Sequence, residues 1–283
     1  MEKQVQPPVS AQLSPLSDKE FAGFQKLIYE WVGIHMNESK KALVSGRLMK
    51  RLRHYNIASF TDYLKIVKGS DFPEEKQIMI NLLTTNETYF FREPKHFDWL
   101  RQKIRQRPQG ETFRLWSAAS STGQEAYTIA MVLAEEIGAT GWEILGSDIS
   151  ERALSVAIHA TYPIEQSTQI PEKYLKRFCL KGVRESEGKF CIRPEILQNI
   201  RFFRVNLNEA LPQNFGLFDV IFLRNVMIYF DRPTRQKVAE GLMHFLKPDG
   251  NLVIGHAESL HGITDKLRAL KPTIYAARTN TFT

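Results

Sequence analysis

Small residues and one aspartate form the first constellation in this chain that suggests chemistry. Ser117-Ala118-Ala119-Ser120-Ser121-Thr122-Gly123 follows a β-rich run and precedes a helical one. Its short side chains let a ligand approach the backbone, and the helix that follows offers free N–H groups. Asp148 ends the next β-rich run, 25 residues after Gly123. A carboxylate there accepts both hydroxyls of a ribose, which a neutral side chain does less well. Each feature also has a plainer reading: the loop as a tight strand-to-helix turn, Asp148 as the cap of a helix starting near Ser150. Together they favour a nucleoside-bearing cofactor. Pyrophosphate fits poorly, because Gly123 is the only glycine of the run and a phosphate cradle needs several.

Bringing these residues together requires a parallel sheet, and the pattern from about Thr112 onward predicts one. β-rich runs at 113–117, 143–146, 202–205, 218–223 and 251–254 alternate with helical stretches at 124–136 and 151–160. Such alternation specifies an α/β domain with helices on both faces. Residues 273–278 predict a last, antiparallel strand. The alternation breaks at about 162–199, where a helix-like run at 171–180, a Gly-containing loop and residues 189–192 predict a small antiparallel hairpin.

The first ninety or so residues read instead as helices. Ser17 and Glu20 have the spacing of a capping box, and Phe21, Phe24, Leu27, Ile28 and Trp31 follow with a 3.6-residue period that ends near Gly33. Further helices are predicted at 38–54, from Ser59 to Gly69, and at 73–83. A polar and aromatic stretch, 84–93, joins the two halves.

Composition narrows the class. The 43% hydrophobic and 24% charged content of the 283 residues is that of an ordinary soluble protein. Residues 1–16 contain Pro7, Pro8 and Pro15 and lack the apolar core of a signal peptide, so a disordered tail is expected. Val220-Ile221-Phe222-Leu223 is far too short to span a bilayer, which predicts a cytoplasmic protein. Cys179 and Cys191 match no zinc framework and read as packing residues; no metal is expected. The net charge of +7 predicts a polyanionic partner: RNA, a phosphate-bearing ligand or an acidic protein surface. Lys40, Arg47, Arg51 and His54 line one stripe of the second predicted helix, beside Val44, Leu48 and Leu52. That stripe reads as a solvated face or as a docking surface.

Several longer motifs carry a family resemblance. They are Thr84-Thr85-Asn86 through Phe91-Arg92-Glu93, Trp116-Ser117-Ala118-Ala119 through Gly123, and Arg224-Asn225-Val226-Met227-Ile228-Tyr229-Phe230. Lys247-Pro248-Asp249-Gly250 and Gly255-His256-Ala257-Glu258-Ser259 fit the same pattern. In this order they resemble the CheR-type chemotaxis receptor (protein-glutamate) O-methyltransferases, and the likeness runs from about residue 17 onward. Gln124 departs from it, standing where the family has an acidic residue before the glutamate matching Glu125.

The resemblance implies an all-α N-terminal domain (17–84), a linker contributing cofactor contacts (85–93), and a Rossmann-like class I methyltransferase domain (94–283). A small antiparallel β subdomain is inserted at about 162–200. It implies S-adenosylmethionine as cofactor, held by Asn86, Thr88, Arg92, Glu125, Asp148, Asn206, Leu207, Arg224 and Asn225. Arg92 and Tyr229 are the expected catalytic pair. Without the family match, Arg92 reads equally as a surface residue, Tyr229 as core, and Asn206 and Asn225 as turn formers. The basic stripe becomes a docking surface for the acidic cytoplasmic part of membrane-bound receptors, and the inserted hairpin a possible site for a receptor C-terminal tail peptide. A monomer acting in receptor adaptation is expected, with no nucleic acid bound. Two rival readings are a nucleic-acid methyltransferase and a cofactor-sensing receptor-binding module without turnover. Leu223-Arg224-Asn225-Val226 stands where amino-methylating nucleic-acid enzymes carry an Asn/Asp-Pro-Pro-Tyr/Phe motif.

Overall fold

The computed structural model describes residues 14–108 and 110–278. They form two compact units, one of residues 35–84 with the chain up to 31, the other of residues 85 onward with 32–34. The expected disordered tail falls largely outside the described residues. Within it, the Ser14 N–H donates to Ala58 O at 3.0 Å, and Leu16 is buried.

The helical unit contains α1 (Asp18–Val32), α2 (Lys41–His54), α3 (Phe60–Lys68) and α4 (Glu75–Leu83). Ser17 opens α1 through its capping box: the Ser17 N–H donates to Glu20 Oε2 at 2.9 Å, and the Glu20 N–H to Ser17 Oγ at 3.3 Å. The other Glu20 oxygen accepts from the Thr61 N–H at 2.7 Å, tying α1 to α3. Ser59 caps α3 and Gly69 ends it. Phe21, Phe24, Ile28, Val44, Leu48, Leu52, Phe60 and Tyr63 are all fully buried, and the Phe24 ring meets those of Phe60 and Tyr63.

Inside that core lies one fully buried carboxylate, Glu75. It accepts from Arg51 Nε and Nη2 at 2.8 and 2.6 Å, from Tyr63 at 2.6 Å and from Tyr55 at 2.9 Å. Burial alone would raise its pKa, but Arg51 and the two hydroxyls bring it below the usual carboxylate range. Arg47 is engaged in a related way. Its Nη1 donates to the carbonyls of Leu82, Leu83 and Thr84 at 3.1, 3.2 and 2.9 Å, satisfying orphan acceptors at the end of α4. The predicted basic stripe is therefore divided. Lys40 and His54 are exposed, whereas Arg47 and Arg51 fold back against α4.

The second unit begins with α5 (Lys95–Arg105), then runs β1 (Phe113–Ala118), α6 (Gln124–Glu136), β2 (Trp142–Asp148), α7 (Glu151–His159), β3 (Thr161–Pro163), α8 (Glu172–Phe178), β4 (Cys179–Lys181), β5 (Lys189–Ile192), α9 (Pro194–Leu197), β6 (Ile200–Arg204), β7 (Phe218–Leu223), α10 (Arg232–Met243), β8 (Leu246–Ile254), β9 (Leu267–Lys271) and β10 (Ile274–Ala277). The large sheet has the order β6-β2-β1-β7-β8-β10-β9. Its first five strands are parallel, while β10 runs antiparallel to both β8 and β9. Side chains alternate across it. Leu115, Val220 and Phe222 pack with α5 and α6 residues such as Leu100 and Ile129, whereas Trp116, Ile221 and Leu223 pack with Val238 and Leu242 of α10.

Rossmann-like layering is thus the fold, as expected, with a small antiparallel sheet β3-β5-β4 where the hairpin was predicted. The large-unit elements that went unread in the sequence include α5, α10 and β9, together with the short β3 and α9. No helix among the described residues is long and apolar enough to cross a membrane.

Removing one partner of the Glu75 cluster leaves a buried charge uncompensated. Arg51→Ala is expected to cost roughly 3–5 kcal/mol of unfolding free energy, measured by denaturant titration of the whole chain. A loss below ~1 kcal/mol would show that the pair behaves as a surface one.

Candidate active site

Strand order reverses about β1, since β2 and β6 extend to one side and β7 and β8 to the other. Ligands in open α/β sheets bind at such a point, beyond the carboxyl ends of the strands. The β1–α6 loop lies there. Ala119 and Ser121 adopt left-handed backbone with φ of 62° and 52°, a conformation that costs energy for a side-chain-bearing residue. Gly123 has φ 94°, and a Cβ on it would come within 2.9 Å of the Ala157 Cβ, so only glycine fits that turn.

Asp148 is buried at the end of β2 and gathers the neighbouring loops. Its Oδ2 accepts from the Ser121 N–H and its Oδ1 from the Ser150 N–H, each at 2.8 Å. Burial raises the carboxyl's pKa, and these amides oppose that rise. The helix cap is a separate residue: Ser150 Oγ accepts from the Ala153 N–H of α7. Asn86 joins the same corner, its Nδ2 donating to Ser150 Oγ at 3.2 Å while its carbonyl accepts from Ser121 Oγ at 2.9 Å. Val205 is hydrogen-bonded to the Asp148 carbonyl, so Asn206 and Leu207 emerge beside Asp148 at the end of β6.

The second half of the site is organised by Arg224, at the end of β7, with its side chain 1% exposed. Its Nη1 donates to Glu125 Oε2 at 3.0 Å, and its Nη2 to Glu93 Oε2 at 3.0 Å and to the Arg92 carbonyl at 2.5 Å. The rings of Phe97 and Phe222 flank the guanidinium at 5.5 and 5.7 Å. The other Glu125 oxygen accepts from Ser117 Oγ at 2.8 Å. Asn225 Nδ2 donates to Glu93 Oε1 at 3.1 Å. Residues 90–93 are fixed as well by two side-chain acceptors, with Phe90 N–H on Gln169 Oε1 and Phe91 N–H on Thr128 Oγ1. Arg92 itself turns outward, its Nη1 donating to the Glu87 carbonyl at 3.2 Å and its guanidinium lying 5.5 Å from the Tyr89 ring centre.

Of the residues expected to form the site, Asn86 and Asp148 share one hydrogen-bonded corner. Glu125, Arg224 and Asn225 share the other, which Arg92 joins by its carbonyl and not by its guanidinium. Thr88 and Tyr229 are half-buried on the segments that lead into these corners. Gln124 is buried, accepting from Thr122 Oγ1 and donating to Gln166. Cys179 fits its packing role, for burial pushes its thiol up to about 12. The sequence reading missed Glu93 and Glu258 as organisers. Both stand inside the motifs that it quoted, but neither organising role has a local signal, since Glu93 reaches Arg224 across 131 residues and Glu258 reaches Met227 across 31.

Glu93, His96 and His256 offer ligand atoms within 4.8 Å of one another. Both Glu93 oxygens already accept hydrogen bonds, from Arg224, Asn225 and the His256 N–H, and the Arg224 guanidinium supplies the positive charge that a cation would bring. The His96 pKa is lowered to about 4, first by burial and then by Arg224 and His256, with Glu93 opposing. His96 Nε2 lies 2.8 Å from Thr273 Oγ1 and Nδ1 lies 3.4 Å from Glu93 Oε2. This imidazole stays neutral while its unfolded counterpart, with a pKa near 6.5, takes up a proton. Stability held above about pH 6.5 is therefore lost as pH falls toward 4, by on the order of 3 kcal/mol in all. Denaturation curves from pH 7 to pH 4 should fall more steeply for the wild type than for His96→Gln; parallel curves would refute a neutral buried imidazole.

Comparison with known proteins places this architecture. Residues 19–84 match the family model described as "CheR methyltransferase, all-alpha domain", and residues 86–276 match "CheR methyltransferase, SAM binding domain". The chain is 39% identical to the chemotaxis protein methyltransferase of Escherichia coli, covering 92% of this chain and 91% of that protein. It is 38% identical to chemotaxis protein methyltransferase 2 of Pseudomonas aeruginosa, covering 91% and 92%. The Borreliella burgdorferi protein of the same name is 35% identical, with 92% and 94% covered. With matched helical and sheet domains, relatives alike over nearly their whole length and a site at the switch of a Rossmann-like sheet, the chain belongs to the CheR methyltransferase family.

Proposed function

We propose that this protein transfers the methyl group of S-adenosylmethionine to glutamate side chains of membrane-bound chemotaxis receptors, leaving glutamate methyl esters and S-adenosylhomocysteine. The observation that carries this reading is the meeting of the Asp148 corner and the Arg224 cluster at one switch point, with segment 86–93 joined to both. Two buried polar atoms there, Ser120 Oγ and Arg224 Nε, have no hydrogen-bond partner among the described residues, which suits a polar ligand. The residues present therefore fit the cofactor. Asp148, Asn86 and Asn206 would hold its ribose and adenine end, with Leu207 against the base. Thr88, Arg92, Arg224 and Asn225 would hold its amino-acid end. Glu125 works through Arg224 and Ser117, because both its oxygens are engaged by them.

Bound S-adenosylmethionine supplies a methyl group on a sulfonium. A glutamate carboxylate, with an ordinary pKa of about 4.3, is already ionised at neutral pH, so no general base is required. What remains for the protein is to align the two reactants and keep water out. Arg92 and Tyr229 frame the acceptor carboxylate in this reading. Arg92 should orient more than neutralise, since a tight ion pair would stabilise the nucleophile before reaction. Glutamine lacks the anionic oxygen and would not react.

Incubation with radiolabelled cofactor and receptor-containing membranes should give base-labile label on protein. Asp148→Asn, which keeps the size of the side chain, should weaken S-adenosylhomocysteine binding by about 10- to 100-fold, the equivalent of ~1.5–3 kcal/mol. Label on nucleic acid would favour the rival methyltransferase reading, cofactor binding without any label the sensing module, and base-stable label on protein would exclude a carboxyl ester.

Receptor docking is assigned to the helical unit. Lys40 and His54 are its exposed stripe residues, and Arg47 and Arg51 contribute chiefly by holding α2 on α4. A groove of about 500 Å3 lined by Lys26, Glu30, Trp31, Lys68, Phe72 and Lys76 sets three ammonium groups against one carboxylate, which pairs with Lys26, and its net positive charge suits an acidic partner. The edge strand β4, near the exposed Leu180 and Val183, suits a receptor tail peptide added as an extra strand. The protein acts as a monomer in this scheme. Lys40→Glu with His54→Glu should slow receptor methylation and flatten its salt dependence, leaving S-adenosylhomocysteine affinity unchanged. Methylation at the wild-type rate would remove this surface from the docking site.

A further inference from the structure

The loop from Asn225 to Tyr229 leaves β7 and returns to α10 through a single turn of 3-10 helix at Met227–Tyr229. Asn225 takes left-handed backbone with φ 59°, which turns its N–H to the same side as those that follow. Successive amides arranged in this way make a concave anion-binding nest. Here the anion comes from the chain itself. Glu258, on the loop after β8, accepts from the Asn225 N–H at 2.9 Å and the Gly255 N–H at 2.6 Å through Oε2, and from the Met227 N–H at 2.7 Å through Oε1. Gly255 makes the approach possible, for a Cβ on it would come within 2.9 Å of both the Asn225 nitrogen and Glu258 Oε2.

We propose that Glu258 is a positioning residue for methyl transfer, holding by its carboxylate the loop that presents Asn225 and Tyr229. This rests on the reading of the site given above. The three donors, shared between both oxygens, demand an acceptor with lone pairs on each, which an ionised carboxylate offers and an amide does not, because its NH2 would face another N–H. The clamp is also continuous with the ion-pair cluster, since the side chain of Asn225 bonds Glu93, which bonds Arg224. At the outer end of the loop Ile228 is 48% exposed, next to Tyr229, so the clamped segment borders the face that a protein substrate must approach. Releasing the clamp frees Tyr229 to move relative to the bound reactants, while Asp148 and its corner stay in place.

A double-mutant cycle on the full chain tests this, with receptor-containing membranes as substrate. Glu258→Gln should lower kcat on the order of 10- to 100-fold, as misplacement by about an ångström does. Tyr229→Phe should lower kcat in the wild-type background and change it by less than about twofold in Glu258→Gln, because two residues acting as one unit are not additive. Glu258→Asp, which keeps the charge with a shorter reach, should restore part of the loss, and it carries the same cycle if the glutamine variant does not fold. Additive losses, or a Glu258→Gln enzyme with wild-type kcat, would overturn the proposal. A silent Tyr229→Phe would overturn it too, by removing the Tyr229 role, whereas loss of base-labile label from the wild type would instead strike the functional reading beneath it.

Discussion

Burial of one guanidinium is the constraint on which the large unit turns. A charge taken out of water costs several kcal/mol unless ionised partners meet it with good geometry. Arg224 has two, and they come from distant parts of the chain: Glu93 from the segment before α5, Glu125 from the first turn of α6. Neither carboxylate can be satisfied without bringing its segment to the end of β7. The same guanidinium takes the Arg92 carbonyl, so the motif carrying Arg92 is pinned by main chain as well as side chain. Electrostatics thus does here what a covalent link would otherwise do.

The energy stored by this arrangement is visible in the backbone. Of nine non-glycine residues with positive φ among the described residues, five lie in the site: Phe91, Glu93, Ala119, Ser121 and Asn225. Four of the five are over-determined by an adjacent bond: Phe91 N–H on Thr128, Glu93 on Arg224, Ser121 N–H on Asp148 and Asn225 N–H on Glu258. Strain persists where surroundings fix it. Such rigidity suits a displacement at carbon between groups that need no proton moved, since alignment is then most of what the protein can contribute.

The helical unit repeats the device on a smaller scale. Glu75 is its buried charge, and Arg51, Tyr55 and Tyr63 are the donors that make burial tolerable. Half of the basic stripe on α2 is thereby drawn inward. A count of lysines and arginines along a helix cannot distinguish a guanidinium in solvent from one engaged with a neighbouring helix, because both occupy the same helical face. Lys40 and His54 remain outward, and the lysines around Trp31 and Phe72 supply further positive charge.

Periodicity alone determined much of this protein. The 3.6-residue spacing of Phe21, Phe24, Leu27 and Ile28, the caps at Ser17 and Ser59, and the alternation from β1 to β8 are local properties, and each element formed near where it was read. The elements missed were those with masked patterns. In α5 the buried face includes His96 and is set among six other polar residues, and β9 exposes all but Leu267. Asp148 was legible because its place at a strand end is a matter of order along the chain. That its oxygens grip Ser121 and Ser150, that Arg224 gathers Glu93 and Glu125 from 131 and 99 residues away, and that Glu258 fills the nest at Asn225 were decided only by the tertiary structure. A hydrogen bond has a range of about 3 Å, and no spacing in the chain records which distant carboxylate the folded sheet will bring within it.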